Sequence, residues 1–129
     1  MTQWHLACSA CTHTQAGDAR ATVCPRCGQP FLVRYDTPFP QRDAIRTRWD
    51  MWRYAAMLPI GEFESPVTLG EGLTPLHDAP ALAESLGVAR VWVKDEGLNP
   101  TGSFKARGMS AAVTRARALN VPGLVAPTA

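Results

Sequence analysis

The stretch Asn99-Pro100-Thr101-Gly102-Ser103-Phe104-Lys105 decides how the second half of the chain is expected to fold. Asn-Pro and Thr-Gly are typical of a tight turn, and Ser103 is a residue type that caps the beginnings of helices. The apolar side chains that follow recur at helical spacing, so we expect them to line one side of a helix that ends at Asn120. These side chains are Met109, Ala112, Val113, Ala116 and Leu119.

Strand-like segments lie on both sides of this predicted helix. The run 88–94 precedes it and the run 123–126 follows it, and both are rich in residues that favour strands. A strand, a helix and a second strand in this order form the crossover that builds parallel sheets. We therefore expect residues 90–126 to form one unit of an α/β fold with a parallel sheet. Lys105 would lie at the edge where open α/β sheets place their chemistry.

Further elements are predicted upstream of this unit. An apolar stripe indicates an amphipathic helix over residues 43–58 that packs against the next domain. Its members are Ile45, Trp49, Trp52 and Ala56. Residues 65–76 hold several glycines and prolines and are expected to form an extended segment and a tight loop. A short helix should follow, with Asp78 as its N-cap and Gly87 as its stop.

All four cysteines of the chain occur in the two pairs Cys8-x2-Cys11 and Cys24-x2-Cys27. Each pair can present two thiolates to one tetrahedral ion from a tight turn, so the pattern predicts a structural zinc site. The segment around them is too small to fold on an apolar core alone, and a metal would supply the missing stability. Two disulfides or a redox pair are the alternatives, and both suit a reducing compartment less well. His5 and His13 are expected to be ordinary polar residues.

Composition and charge exclude several functional classes. With 46% hydrophobic and 19% charged residues, the chain has the composition of a globular protein. No apolar run is long enough to span a bilayer and no leader-like N-terminus is present, so we expect a cytoplasmic protein without a membrane partner. The net charge is only +2, and the basic run 42–53 is interrupted by Asp43 and Asp50, so no nucleic-acid partner is expected.

Two motifs resemble those of a known enzyme family. Residues 94–108, Lys-Asp-Glu-Gly-Leu-Asn-Pro-Thr-Gly-Ser-Phe-Lys-Ala-Arg-Gly, are similar to the cofactor-lysine segment of a pyridoxal-phosphate family. That family contains threonine synthase, the threonine and serine dehydratases and the tryptophan synthase β subunit. Residues 69–76, Leu-Gly-Glu-Gly-Leu-Thr-Pro-Leu, resemble the loop that precedes this lysine in threonine synthases. Many threonine synthases have Asp where this chain has Ala106, which leaves related substrates open.

The resemblance implies a fold and a set of site residues. The fold would be the N-terminal part of a tryptophan synthase β-like domain over residues 65–129, preceded by a zinc-ribbon-like segment over 1–36 and a linker with a helix over 37–64. Lys105 would bind pyridoxal phosphate covalently, and Ser103 and Phe104 would shape the cofactor site. Glu71 and Thr74 would belong to a loop near substrate. Arg107 is expected to serve as a structural ion-pair partner more than as a phosphate ligand.

The activity implied by the resemblance is that of threonine synthase, which converts O-phosphohomoserine and water into threonine and phosphate. A threonine or serine dehydratase or a related amino-acid lyase is one alternative, and a zinc-ribbon binding module is another. Two parallel strands with one crossover helix cannot cover both faces of the sheet, so we expect the sequence to be part of a longer enzyme. The resemblance implies that the full-length enzyme forms a homo-oligomer and acts on a small amino-acid phosphate. By itself this part is expected to bind pyridoxal phosphate weakly or not at all and to be inactive.

Overall fold

The computed structural model describes residues 3–61 and 65–126. The N-terminal segment is a three-stranded antiparallel sheet in the order β2-β1-β3. Its strands are β1 (Trp4–Cys8), β2 (Thr14–Ala16) and β3 (Phe31–Tyr35). In the register of this sheet Cys8 lies opposite Phe31, and β1 pairs with both neighbours. The first cysteine is therefore held at the end of the central strand.

The linker differs from the predicted amphipathic helix over 43–58. It contains two short 3-10 helices, Arg42–Ala44 and Met51–Met57. Asp50 begins the second one by accepting a hydrogen bond from the backbone N–H of Trp52 at 3.0 Å, and Met51 N–H is bonded to the carbonyl of Glu71. These tethers replace a continuous helix. The predicted apolar stripe is also wrong, because its two tryptophans do not share a buried face: Trp52 is 1% exposed whereas Trp49 is 88% exposed.

A second, two-stranded sheet begins the C-terminal part of the chain. Strand β4 (Leu76–Asp78) pairs antiparallel with β5 (Trp92–Lys94). Helix α1 (Pro80–Leu86) connects them and stops at Gly87, whose φ of 64° is the left-handed conformation expected of a terminating glycine. The predicted N-cap Asp78 is wrong, since that residue ends β4 and the helix begins after Ala79 without a side-chain cap.

Helix α2 (Lys105–Ala118) follows the Asn-Pro-Thr-Gly turn as predicted. The chain leaves the helix at Asn120, which has a φ of 52°. The buried face differs from the predicted one: it is formed by Ala106, Ser110 and Thr114, whereas Met109 remains 41% exposed.

Hydroxyl groups explain why this polar face is buried. Ser110 Oγ donates to the carbonyl of Val67 at 2.7 Å, and Thr114 Oγ1 accepts from the backbone N–H of Val67 at 2.8 Å. The extended segment before the 69–76 loop is thereby fixed along α2. Since extended backbone has unpaired N–H and C=O groups, hydroxyls meet its needs better than apolar side chains do.

The predicted parallel pairing is absent from the residues that the structure describes. Residues 123–126 form no strand there, and both sheets are antiparallel. A strand requires a hydrogen-bonded neighbour, and Val125 is 101% exposed. The described part is accordingly a mixed α/β arrangement with two small sheets. None of its helices has the length and apolar character needed to cross a membrane.

Candidate active site and metal centre

The four cysteines lie together at one end of the N-terminal sheet. Their Sγ atoms all lie within 4.8 Å of one another. The Sγ atoms of Cys8 and Cys27 are 3.4 Å apart, and Cys11 Sγ is 3.7 Å from those of Cys24 and Cys27. Zn–S bonds of about 2.3 Å give a tetrahedron whose edges are about 3.8 Å long. The four thiols therefore fit one tetrahedral ion.

Backbone N–H groups favour the thiolate form of Cys8. The N–H groups of Ala10 and Cys11 both donate to Cys8 Sγ at 3.4 Å, and the bond from Ala10 is the main reason that the pKa of the Cys8 thiol is lowered to about 6. In the second pair Gly28 has a φ of 72° and donates its N–H to the carbonyl of Cys24 at 2.8 Å. A tight turn with this geometry carries the chain past the last sulfur.

The histidines lie outside the cluster, as the sequence predicts. The group of metal-ligating side chains found in the described part contains the four cysteines alone. His5 Nδ1 is instead 2.7 Å from Asp36 Oδ1. A metal bound by four thiolates has no free position for a substrate.

Lys105 is the first residue of α2. The turn before it is closed by the bond from Gly102 N–H to the carbonyl of Asn99 at 2.8 Å, and Gly102 has a φ of 69°. Ser103 Oγ accepts the backbone N–H of Lys105 at 3.2 Å, but the N-cap position of α2 is Phe104, which makes no side-chain capping bond, so the predicted cap lies one residue too early. The turn fixes where the lysine backbone lies.

The Lys105 amine faces solvent beside an aromatic ring. Its Nζ lies 4.7 Å from the centroid of the Phe104 ring, and Phe104 is 58% exposed. In the ranges 3–61 and 65–126 no carboxylate pairs with this amine. Lys94, in contrast, donates to the carbonyl of Thr74 at 2.7 Å. Of these two amines, that of Lys105 is the one left open to react.

A cluster of polar side chains ties α2 to the turn before it. Arg107 donates through Nε and Nη2 to the two carboxylate oxygens of Glu96, at 2.6 and 2.7 Å. This bidentate pair confirms the expected structural role of Arg107, and it leaves the guanidinium occupied. Thr74 Oγ1 donates to the same carboxylate at 2.6 Å.

Asn99 links the turn to the 69–76 loop. This residue is 4% exposed. Its Nδ2 donates to Glu96 Oε2 at 2.9 Å and its Oδ1 accepts from Gly72 N–H at 3.1 Å. Gly72 has a φ of 112°, and a Cβ there would come within 2.6 Å of the backbone nitrogen of Met51. Sequence reasoning missed Glu96 and Asn99, although an acidic residue three positions before Asn99 of the Asn-Pro turn was a visible signal.

The two predicted substrate-loop residues are both buried. Glu71 is 2% exposed and accepts hydrogen bonds from Trp52 Nε1, Thr68 Oγ1 and Leu69 N–H at 3.2, 3.0 and 2.9 Å. Thr74 is 7% exposed and bonded to Glu96. In this arrangement both side chains stabilise the loop. Their contact with a substrate stays a prediction.

The Glu96–Arg107 pair gives stability a defined pH dependence. Hydrogen bonds from Arg107 and then Thr74 hold the pKa of Glu96 far below its usual value of 4.5. A carboxyl whose pKa is lowered by folding contributes fully above 4.5, and the contribution is lost as the pH falls toward the folded-state pKa. We expect Glu96→Gln to unfold at a lower temperature than the unmodified chain at neutral pH and to lose less stability on acidification.

Thermal unfolding followed between neutral pH and pH about 3 measures this difference. Glu84→Gln is the matched control, because Glu84 is exposed on α1 and the change also removes one carboxylate. It should keep the slope of the unmodified chain. Parallel pH curves for Glu96→Gln and the unmodified chain would contradict the role given to this pair.

Comparison with known proteins finds one family model that matches the C-terminal part of the chain. Residues 67–129 match the family described as pyridoxal-phosphate dependent enzyme. The matched range contains the turn, Lys105 and the Glu96–Arg107 pair. The cofactor named in the family's description is pyridoxal phosphate.

Several individual proteins with sequences similar to this chain carry the same name, threonine synthase. The chain is 38% identical over 121 residues to the threonine synthase of Methanosarcina acetivorans and 39% identical over 119 residues to that of Methanocaldococcus jannaschii. These matches cover 92% and 88% of this chain but 29% of each relative. The threonine synthase of Mycobacterium leprae is 57% identical over 65 residues, which are 50% of this chain and 18% of the relative. The chain thus spans less than a third of their length. No solved structure matches it at a significant level.

Proposed function

We propose that this chain carries the cofactor-lysine segment of a threonine synthase, which forms threonine and phosphate from O-phosphohomoserine and water. The observation that carries the proposal is the exposed amine of Lys105 at the first residue of α2, after a turn fixed by Asn99. Relatives that bear this name align with 92% and 88% of the chain. The complete reaction would also require groups from the remaining length of such a protein.

The residues of this chain would have separate tasks in the reaction. Pyridoxal phosphate, when bound, supplies an electron sink for negative charge developing beside the substrate nitrogen. Lys105 would hold the cofactor through Nζ and, once exchanged for substrate, carry protons at the same atom. Ser103 keeps the lysine backbone in place, and Phe104 covers one side of the amine.

The polar cluster of Glu96, Arg107 and Thr74 helps to position the helix that carries Lys105. Glu96 neutralises Arg107, so this guanidinium is not free to bind the substrate phosphate. The pair instead fixes the first turn of α2 against the 69–76 loop through Thr74. Positioning of this kind keeps a reacting amine within reach of its target without spending binding energy on the substrate itself.

Product analysis separates the proposed reaction from that of a dehydratase. A protein that joins this chain to the remaining length of the relatives should release phosphate from O-phosphohomoserine and form threonine. With threonine or serine as substrate, a dehydratase would instead release ammonia and a 2-oxo acid. The chain of 129 residues alone should turn over none of these substrates. Oxo-acid formation without phosphate release would overturn the substrate assignment.

We further propose that the four cysteines hold a structural zinc ion. The distances between sulfurs fit the tetrahedron that zinc prefers, and the N–H groups that donate to Cys8 stabilise a metal-bound thiolate. Four thiols persist as ligands only under reducing conditions, which supports a cytoplasmic location. The ion would stabilise residues 3–36 and take no direct part in the chemistry.

A further inference from the structure

The four-cysteine segment touches the helix that carries Lys105. Near the end of α2, Arg115 donates through Nη2 to the carbonyl of Gly17 at 2.9 Å. The same guanidinium lies 5.2 Å from the centroid of the Trp4 ring. One arginine on α2 thus contacts both β1 and the turn after β2.

The sheet residues that contact Arg115 are closely packed against each other. The Trp4 ring lies directly over Gly17, where an added Cβ would come within 2.6 Å of the ring. Arg20 adds a second link, since its Nη2 donates to the carbonyl of Asn120 at 3.3 Å, just beyond α2. A carbonyl at the end of a helix lacks an intrahelical partner, so an arginine from another segment satisfies it. We name Trp4, Gly17 and Arg115 the clamp.

Two regular elements connect the clamp to the two functional centres. Strand β1 begins at Trp4 and ends at the metal-site residue Cys8. Helix α2 begins at Lys105 and includes Arg115, about 15 Å further along its axis at the rise of an α-helix. The cysteines and the lysine therefore lie at the far ends of two elements that meet at the clamp.

We propose that the four-cysteine segment is a positioning device for α2, and that metal binding at the cysteines orders this helix through the clamp. The inference goes beyond the proposed function and rests on metal binding at the four thiols. Metal binding fixes Cys8 and, through it, strand β1, so that Trp4 and Gly17 stay in position to bind Arg115. Without the metal the sheet loosens, these contacts with Arg115 are lost, and the hydrogen bonds in the C-terminal half of α2 open more often.

Amide hydrogen exchange measures this coupling directly and does not depend on catalysis. Zinc is added to metal-depleted protein, and exchange is followed separately in residues 3–36 and in residues 109–119. Zinc should slow exchange in both regions of the unmodified chain. In Arg115→Ala it should slow exchange in residues 3–36 only. With zinc bound, residues 109–119 of Arg115→Ala should exchange roughly tenfold faster than those of the unmodified chain, given the strength of one hydrogen bond and one cation–π contact.

Arg34→Ala is the matched control. It removes the same charge from β3, a strand of the same sheet, and should keep the coupling. Gly17→Ala is a second test, because its methyl group displaces the Trp4 ring while Arg115 remains. It should weaken the coupling as Arg115→Ala does.

Zinc affinity is measured on the same samples, so that failure of the metal site is distinguished from failure of the clamp. If zinc binds and leaves residues 109–119 unchanged in the unmodified chain, the inference is wrong. If no zinc binds to the unmodified chain, the inference is wrong as well. If removal of zinc unfolds the whole chain, Arg115→Ala and Arg34→Ala are compared directly with zinc bound. Equal exchange of residues 109–119 in those two variants would overturn the clamp.

Discussion

Replacing Lys105 by alanine is expected to remove the pyridoxal phosphate that borohydride reduction fixes to this chain. The chain has two lysines. The Lys105 amine is exposed beside Phe104, whereas the Lys94 amine is held by the carbonyl of Thr74 at 2.7 Å. Reduction traps an imine even when binding is weak, so the experiment works on a chain that has only part of the site. The total label on the Lys105→Ala chain should therefore fall to the background level of the N-terminal amine.

Peptide mapping by mass spectrometry after reduction supplies the measurement. Lys94→Ala is the matched control, because it removes the other lysine and should leave the label on Lys105. The N-terminal amine provides an internal reference for non-specific reaction at the same cofactor concentration. Equal labelling of both lysines and of the N-terminal amine would show that Lys105 has no special reactivity in this fold.

Replacing Cys24 by serine is expected to remove the bound metal and to unfold the N-terminal sheet. Cys24 is 2% exposed and its Sγ lies 3.7 Å from that of Cys11. Structural zinc contributes about 10–16 kcal/mol of apparent binding energy to small domains, far more than the core of so short a segment can supply. Loss of one of four thiolates should therefore reduce zinc content from about one ion per chain to nearly none.

Elemental analysis of purified protein and circular dichroism of the sheet provide the two readouts. His13→Ala is the control, since His13 lies near the cluster in sequence but outside its ligand set. This variant should keep its zinc. A metal-free chain with two disulfides, or zinc retained by Cys24→Ser, would contradict the four-thiolate site.

Local signals in the sequence predicted the parts of the fold that local chemistry controls. The paired cysteines form one cluster, Gly87 terminates α1, and the Ser103 hydroxyl binds the first N–H of α2. The two helix-end features depend on residues close together in the chain, and the cysteines of each pair are three positions apart. Such features can be read from side-chain type and spacing alone.

Long-range hydrogen bonds account for the parts that were not predicted. Apolar periodicity indicated a buried side of α2 through Met109, yet the helix buries Ser110 and Thr114 because both bind the extended segment at Val67. The predicted linker helix fails because Met51 N–H is bonded to a loop residue 20 positions later in the sequence, Glu71. No pattern within the linker encodes that partner.

The buried carboxylate of Glu71 has a consequence for the order in which the chain folds. It accepts from Trp52, whose Nε1 also lies 3.0 Å from Ser110 Oγ. A nascent chain that ends before α2 offers this indole only one of its two acceptors, and burying a polar group without its partners costs about 1–3 kcal/mol or more. The linker, the loop and α2 therefore have to consolidate as a single cooperative unit, and on the ribosome that step waits until the helix has emerged.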